Sequence, residues 1–160
     1  MSETSGQPST SQPSIQPLTI QQIRLAVFQA AELSDPPTWA MFRQAQIECG
    51  WDLDVINGNV VSSAGARGPF QIEPATAAGP GYGVPAISPE DALDPTLSTL
   101  WAGKYLTALR NGPASGRWGV AFLMYNVGPG ASVSTASDAY RQLAQYVALT
   151  LGEADPVLVG

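Results

Sequence analysis

The chain has 160 residues, the size of one domain, and 44% of them are hydrophobic, which is enough for a buried core. The net charge of −6 argues against a general nucleic-acid-binding role, because phosphate contacts need a basic surface. The chain has no histidine and a single cysteine, Cys49, which excludes histidine-based acid–base chemistry and an internal disulfide. Any catalysis is therefore expected to rest on carboxylates, without a metal or cofactor.

Residues 1–17 are rich in Ser, Gln, Thr and Pro, a composition typical of a disordered arm. They lack the basic start and apolar run of a secretory signal, and no stretch of the chain has enough consecutive apolar residues to span a membrane. We therefore expect a flexible arm at 1–17, one folded domain at 18–151 and a short tail at 152–160.

The first part of the folded domain carries two helix patterns. Thr19 and Gln22 fit a capping box at the start of a first helix, and the Asp-Pro-Pro sequence at 35–37 breaks that helix. A second helix is predicted from about Thr38 to Cys49, and Gly50 closes it.

A small irregular β element is predicted within residues 55–72. Asn57-Gly58 is a hairpin turn signal, and Val60-Val61 beside it favours a strand. A short helix is expected near Pro74 to Ala78.

The remaining residues predict further helices. Ser88-Pro89 and Asp94-Pro95 each place an N-cap before a proline at the first helical position, and the second pair opens a helix to about Arg110. Two more helices are predicted at about 117–126 and 138–151. The expected fold class is α+β and predominantly helical, with a small β-hairpin and a flexible N-terminal arm.

Glu48 is the candidate catalytic acid. It lies at the end of the second helix, where the negative end of the helix dipole disfavours an anion. Met41, Ala45 and Trp51 are expected to surround and desolvate it, which would raise its pKa. A carboxyl that keeps its proton near neutral pH can protonate a glycosidic oxygen as the bond breaks. The alternative is a solvated glutamate at a helix end.

Four motifs occur in order between Thr38 and Leu151. Together they resemble the soluble lytic transglycosylase (SLT) domain of the lysozyme-like superfamily. The matching positions are Glu48 to Trp51 for the acid motif; Ser62, Gly65, Ala66, Gly68, Gln71, Ile72, Pro74, Thr76 and Ala77 for the glycine-rich motif; Asp94, Pro95, Gly103, Tyr105 and Leu106 for the third; and Ala121, Tyr125, Asn126, Gly128, Pro129 and Gly130 for the last.

The resemblance implies roles for the matching residues. Glu48 would be the single general acid and then the base, while Gln71, Tyr125 and Asn126 would line the cleft and hold sugar hydroxyls, N-acetyl groups or the Glu48 carboxyl. Ser62 matches a serine that contacts substrate. Tyr125 could instead be a core aromatic.

For three other positions, a structural role is expected at least as much as a role in binding the glycan. Trp51 is expected to pack in the core more than to stack on sugar. Gly65 and Gly68 would either let the backbone approach the glycan or serve the geometry of a turn.

The sequence departs from the family pattern at several positions. Cys49 replaces a serine and is expected to be a small packed side chain. Glu73 stands where the family commonly has methionine, so a second carboxylate is available if it faces the cleft. Paired carboxylates are typical of hydrolysis. Asp52 and Asp54 are further candidates, although a solvated loop position is expected for both.

The resemblance implies cleavage of the β-1,4 bond between N-acetylmuramic acid and N-acetylglucosamine in a peptidoglycan strand, with 1,6-anhydromuramoyl products. Three alternatives stay open: a hydrolysing lysozyme that uses Glu48 and Glu73, a structural or glycan-binding virion protein with little turnover, and a plain helical domain. We expect no nucleic-acid partner and no membrane insertion.

The expected setting is a phage virion that acts on the host cell wall, because a particle delivers its enzymes from outside and needs no export signal. The polar arm at 1–17 would attach the enzyme to other virion proteins. A phage endolysin and a clone lacking its signal are the alternatives.

Overall fold

The computed structural model describes residue 6 and residues 16–157. Most of the predicted arm (1–5 and 7–15) and the last three residues of the predicted tail lie outside the described residues. The described part is predominantly helical. Its α-helices are α1 (Ile20–Glu32), α2 (Thr38–Cys49), α3 (Leu53–Ile56), α4 (Pro74–Ala78), α5 (Pro89–Leu93), α6 (Pro95–Asn111), α7 (Trp118–Val127) and α8 (Asp138–Leu151), and a 3₁₀ turn lies at Val133–Thr135.

Local capping chemistry sets several helix boundaries. Thr19 accepts from the backbone N–H of Gln22, and the Gln22 side chain accepts from the Thr19 N–H, so the predicted capping box begins α1. Gly50 ends α2 in the left-handed conformation (φ 57°), which a glycine adopts without strain. Asp94 accepts from Leu97 at the start of α6.

The core lies between five of the helices. α7 packs against α6 and α8, α1 packs against α6 and α2, and α2 packs against α8. The apolar faces of these helices meet, and their buried side chains supply the hydrophobic driving force of the fold. The largest fully buried apolar and aromatic side chains include Tyr140, Phe70, Phe122, Ile23, Met41 and Leu106. No helix among the described residues is long and apolar enough to cross a membrane.

The hairpin predicted at Asn57-Gly58 is not formed. Asp52 caps a short helix there, α3, and the backbone N–H groups of Asn59 and Val60 both donate back to the carbonyl of Asp54 (2.9 and 3.1 Å). These turn bonds occupy the donors that a strand partner would need. The β structure of residues 16–157 is one isolated antiparallel bridge between Arg67 and Ile72.

Part of the predicted tail packs against the domain. The Glu153 carboxylate accepts hydrogen bonds from the backbone N–H groups of Trp118 (2.8 Å) and Gly119 (2.9 Å) at the start of α7. Pro156 is buried. A carboxylate satisfies the free N–H groups of a helix N-terminus and complements its dipole. The packed domain therefore extends past the boundary predicted at 151.

Candidate active site

A cleft of about 320 Å³ opens among four parts of the chain. They are α6, the C-terminal ends of α2 and α7, and the segment that leads into α4. The six residues predicted for the site all line the cleft, although they come from separate parts of the chain. They are Glu48, Ser62, Gln71, Glu73, Tyr125 and Asn126.

Glu48 is half-buried in the wall of this cleft. The Tyr140 hydroxyl of α8 donates a hydrogen bond to its Oε1 atom. Burial raises the pKa of Glu48 from its ordinary 4.5 to about 7; the Tyr140 hydrogen bond opposes this shift, and the nearby charge of Glu73 adds to it. The carboxyl can therefore hold its proton near neutral pH, as a general acid requires.

The loop between Arg67 and Ile72 forms a fixed part of the cleft wall. Two backbone hydrogen bonds of 3.1 and 3.0 Å close it, and the Phe70 side chain anchors it in the core. Gly68 has a φ of +75°, and a Cβ there would lie 1.9 Å from the carbonyl oxygen of Ala92. Only glycine fits, so the structure gives Gly68 a turn and packing role.

Gln71 follows in a left-handed conformation with a φ of +48°, which is unfavourable for a residue with a side chain. Its Nε2 atom donates to the carbonyl of Gly68 (2.9 Å). Strained residues of this kind cluster at functional sites, where surrounding structure holds them in place. Here the closed loop presents Gln71 to the cleft in one orientation.

Tyr125 supports the loop, and its hydroxyl is not hydrogen-bonded to the Glu48 carboxyl. Its hydroxyl donates to the carbonyl of Phe70 (3.0 Å), and its ring meets Tyr105 edge-on at 5.7 Å. Burial holds its pKa well above the ordinary value. The hydroxyl that holds the Glu48 carboxyl belongs to Tyr140, which the sequence interpretation placed only in a helix.

Ser62 and Asn126 each use one atom in a local hydrogen bond. Ser62 Oγ accepts from the N–H of Ala66 (3.1 Å), and Asn126 Oδ1 accepts from the N–H of Ser137 (2.9 Å). The hydroxyl proton of Ser62 and the Nδ2 group of Asn126 have no protein partner within residues 16–157. Both can donate to a ligand in the cleft.

Glu73 faces the cleft and is exposed. It is the residue before α4, and its side chain does not cap that helix. Asp52 and Asp54 lie outside the cleft lining, in the exposed turn around α3, where Asp52 caps the helix. This placement agrees with a structural loop role for both aspartates and leaves Glu73 as the second acid of the cleft.

Two aromatic residues of the cleft were not singled out as site residues from the sequence. Trp101 and Tyr105 lie one turn apart on α6, with their rings stacked at 5.1 Å. The Trp101 indole N–H donates to the carbonyl of Pro85 (2.9 Å), which fixes the ring. Tyr105 also matches the third motif, whereas the only sequence signal for Trp101 is its helical spacing, which is equally typical of a core stripe.

Trp51 and Cys49 have packing roles. The Trp51 ring lies 5.0 Å from the ring of Phe42, and the Arg24 guanidinium lies 5.5 Å from its centre, outside the cleft. Cys49 is 3% exposed, and its sulfur accepts from the backbone N–H of Trp51 (3.4 Å). Both residues fix the turn that ends α2 beside Glu48.

A helical domain with one half-buried acid in a polar cleft is consistent with a lysozyme-like architecture. The family model of the Transglycosylase SLT domain matches residues 41–147, which is more than half of the chain, so the chain belongs to the SLT domain family. In general terms this makes it a peptidoglycan lytic transglycosylase domain. No curated protein and no solved structure matches the chain.

Proposed function

We propose that this domain cleaves the β-1,4 bond between N-acetylmuramic acid and N-acetylglucosamine and leaves 1,6-anhydromuramoyl ends, with Glu48 as the single catalytic acid and base. The observation that carries the proposal is the half-buried Glu48 in the cleft, with its pKa raised to about 7. At that pKa the same group can give a proton in one step and take one in the next.

The reaction balances without water. Glu48 gives its proton to the glycosidic oxygen as the bond from the muramoyl anomeric carbon breaks. The 6-hydroxyl of the same muramoyl unit then attacks that carbon and gives its proton to the Glu48 carboxylate. Intramolecular attack gains from a high effective concentration of the nucleophile. The acid is regenerated within one turnover.

The remaining cleft residues bind and orient the strand. Gln71 Oε1 and Asn126 Nδ2 make no hydrogen bond within residues 16–157, so they offer an acceptor and a donor for N-acetyl and hydroxyl groups. The stacked pair Trp101 and Tyr105 also lines the cleft, but each residue is only 5% exposed, so the pair builds the cleft wall and offers little surface for sugar stacking.

Mass spectrometry of peptidoglycan digests tests the product. We expect 1,6-anhydromuramoyl ends and few new reducing ends. Glu48→Gln keeps the shape of the side chain but cannot act as an acid, so the rate should fall by about 10²-fold or more. Clearing of purified cell walls at the wild-type rate by this variant would rule out Glu48 as the acid.

Hydrolysis is the second candidate, because Glu73 lines the same cleft and its charge reaches Glu48. As the base that activates water, Glu73 would give reducing muramic acid ends. Glu73→Met would then abolish activity. If Glu73 only lies on the rim of the cleft, the variant should keep both the rate and the anhydro product. A glycan-binding role with little turnover predicts that purified protein binds cell walls without releasing soluble fragments.

We also propose a phage particle as the setting, with the enzyme opening the host wall during entry. The Ser-, Pro- and Gln-rich composition of residues 1–17 supports attachment to other virion proteins. Mass spectrometry of purified particles should detect the chain, and a variant without residues 1–17 should be incorporated less. Clean particles that lack the chain would favour an endolysin.

A further inference from the structure

A buried amide lies behind the acid. Gln44 is one turn before Glu48 on α2 and is 0% exposed. Its Nε2 atom lies 3.2 Å from the hydroxyl of Tyr140, which is 1% exposed and donates to Glu48 Oε1. The three side chains form one hydrogen-bonded series from the core to the cleft.

The donor capacities of these groups fix the direction of the series. An amide NH₂ group donates and cannot accept, whereas a tyrosine hydroxyl has one proton and an oxygen that accepts. Because Gln44 donates to the Tyr140 oxygen, the only proton of that hydroxyl is left for Glu48. Glu48 Oε1 is therefore held as an acceptor. When Glu48 is protonated, its proton is on Oε2.

We propose that Gln44 is a positioning residue that acts through Tyr140 to keep the acid proton of Glu48 on Oε2, the oxygen left free for the glycosidic oxygen. The proposal rests on the proposed function of Glu48 as the general acid. Without the amide, the Tyr140 oxygen could accept a hydrogen bond from a proton on Oε1. In that fraction of molecules the acid proton would point away from the substrate.

The stability of the fold does not account for this amide. Gln44 Oε1 is buried with no hydrogen-bond partner among the described residues. A buried acceptor without a partner costs free energy, and an apolar side chain of similar length would avoid that cost. The Nε2 atom of the same amide donates to the Tyr140 hydroxyl, which in turn donates to Glu48. We therefore attribute the presence of the amide to this hydrogen bond with Tyr140.

The inference has a defined effect on titration. Tyr140 from α8, Tyr125 from α7 and Glu73 from the segment before α4 face the carboxyl, and Cys49 is its chain neighbour. Loss of the Gln44 donor weakens the bond from Tyr140 to the Glu48 anion, and it also gives the protonated form a new partner. Both changes raise the pKa of Glu48.

The test compares Gln44→Met in the full chain with Gln46→Met, an exposed position on the same helix. A ¹³C titration of the Glu48 carboxyl should show an upward shift in Gln44→Met and none in Gln46→Met. The kcat measured below the titration midpoint should fall roughly tenfold in Gln44→Met, as expected for one lost hydrogen bond, with little change in KM. Gln44→Leu is the second variant, for use if methionine prevents folding.

A double-mutant cycle with Tyr140→Phe separates a positioning role from a structural one. Once the hydroxyl is gone, Gln44→Met should shift neither the titration nor the pH profile further. An unchanged Glu48 titration in both Gln44 variants, or additive shifts in the double mutant, would overturn the proposal. The carboxyl titration needs no turnover, so it gives its result even if Glu48→Gln shows that Glu48 is not the acid.

Discussion

Glu48 is held in an environment that favours its neutral form. The pKa of about 7 arises mainly from burial, and the single hydroxyl of Tyr140 offsets only part of that effect. The cleft residues that prepare the acid also make its charged form costly to the fold. The proposed function and the stability of this site are therefore coupled through one proton.

The coupling predicts how stability depends on pH. The folded-state pKa of Glu48, about 7, lies above its ordinary 4.5. The stabilisation from the bound proton is thus fully present below about pH 4.5 and is lost as the pH rises through about 7. The melting temperature of Glu48→Gln relative to the wild type should rise between pH 5 and pH 8. A difference that stays constant over this range would contradict the buried acid.

The other cleft residues are predicted to matter less than the acid. Gln71→Ala removes a hydrogen bond to Gly68 and a group that is expected to bind the glycan, and Tyr125→Phe removes the hydrogen bond to the Phe70 carbonyl. Each variant should cost roughly 1–3 kcal/mol of transition-state stabilisation. Steady-state rates of wall digestion measure this loss, with circular dichroism as the control for folding. If either variant were as inactive as Glu48→Gln while still folded, the division of roles would be wrong.

Sequence motifs located the cleft residues, because each motif has a fixed local spacing. They did not find Tyr140, which is 92 positions from Glu48 and lies in a helix whose pattern indicates only an amphipathic face. Contacts between distant helices depend on how the helices pack, and no local pattern encodes this. Trp101 was missed for the same reason, since its spacing on α6 is that of an ordinary core residue.

At the scale of elements, the helices with strong end signals were predicted closely. A local hydrogen bond sets one end of each of these helices. The capping box at Thr19 begins α1, Gly50 ends α2, and the Asp-Pro pair at 94–95 begins α6. Within the β element predicted at 55–72, the hairpin at Asn57-Gly58 was wrong, because this pair permits turns of several kinds. Asp52 caps the short helix α3 at this place instead.

The Glu153 cap on α7 gives a prediction for a whole element. Glu153→Ala leaves two backbone N–H groups at the start of α7 without their acceptor, which should cost about 1–2 kcal/mol of unfolding free energy. Asp155→Ala is the matched control, because that exposed carboxylate bonds only the nearby Val157 N–H. Chemical denaturation measures both variants. Equal stabilities would show that the Glu153 contact contributes nothing to the helix.

For the whole molecule, the Thr19 capping box begins α1, and residues 1–17 carry no motif residue, so we expect the domain to fold without them. Removal of residues 1–17 should therefore leave the melting temperature and the rate of wall digestion close to those of the full chain. Thermal unfolding and digestion of purified walls by the two proteins check this. A large loss in either measurement would assign residues 1–17 to the folded domain.

The buried Cys49 makes the end of α2, which carries the proposed acid, observable by thiol chemistry. Burial raises the pKa of this thiol to about 11, so at pH 7 roughly one molecule in 10⁴ carries the reactive thiolate. Alkylating reagents should react with it only when the end of α2 opens, and the labelling rate then reports how often the segment with the acid unfolds locally. Ligands that fill the cleft should slow this labelling. The single sulfur is thus a built-in reporter of motion at the candidate active site.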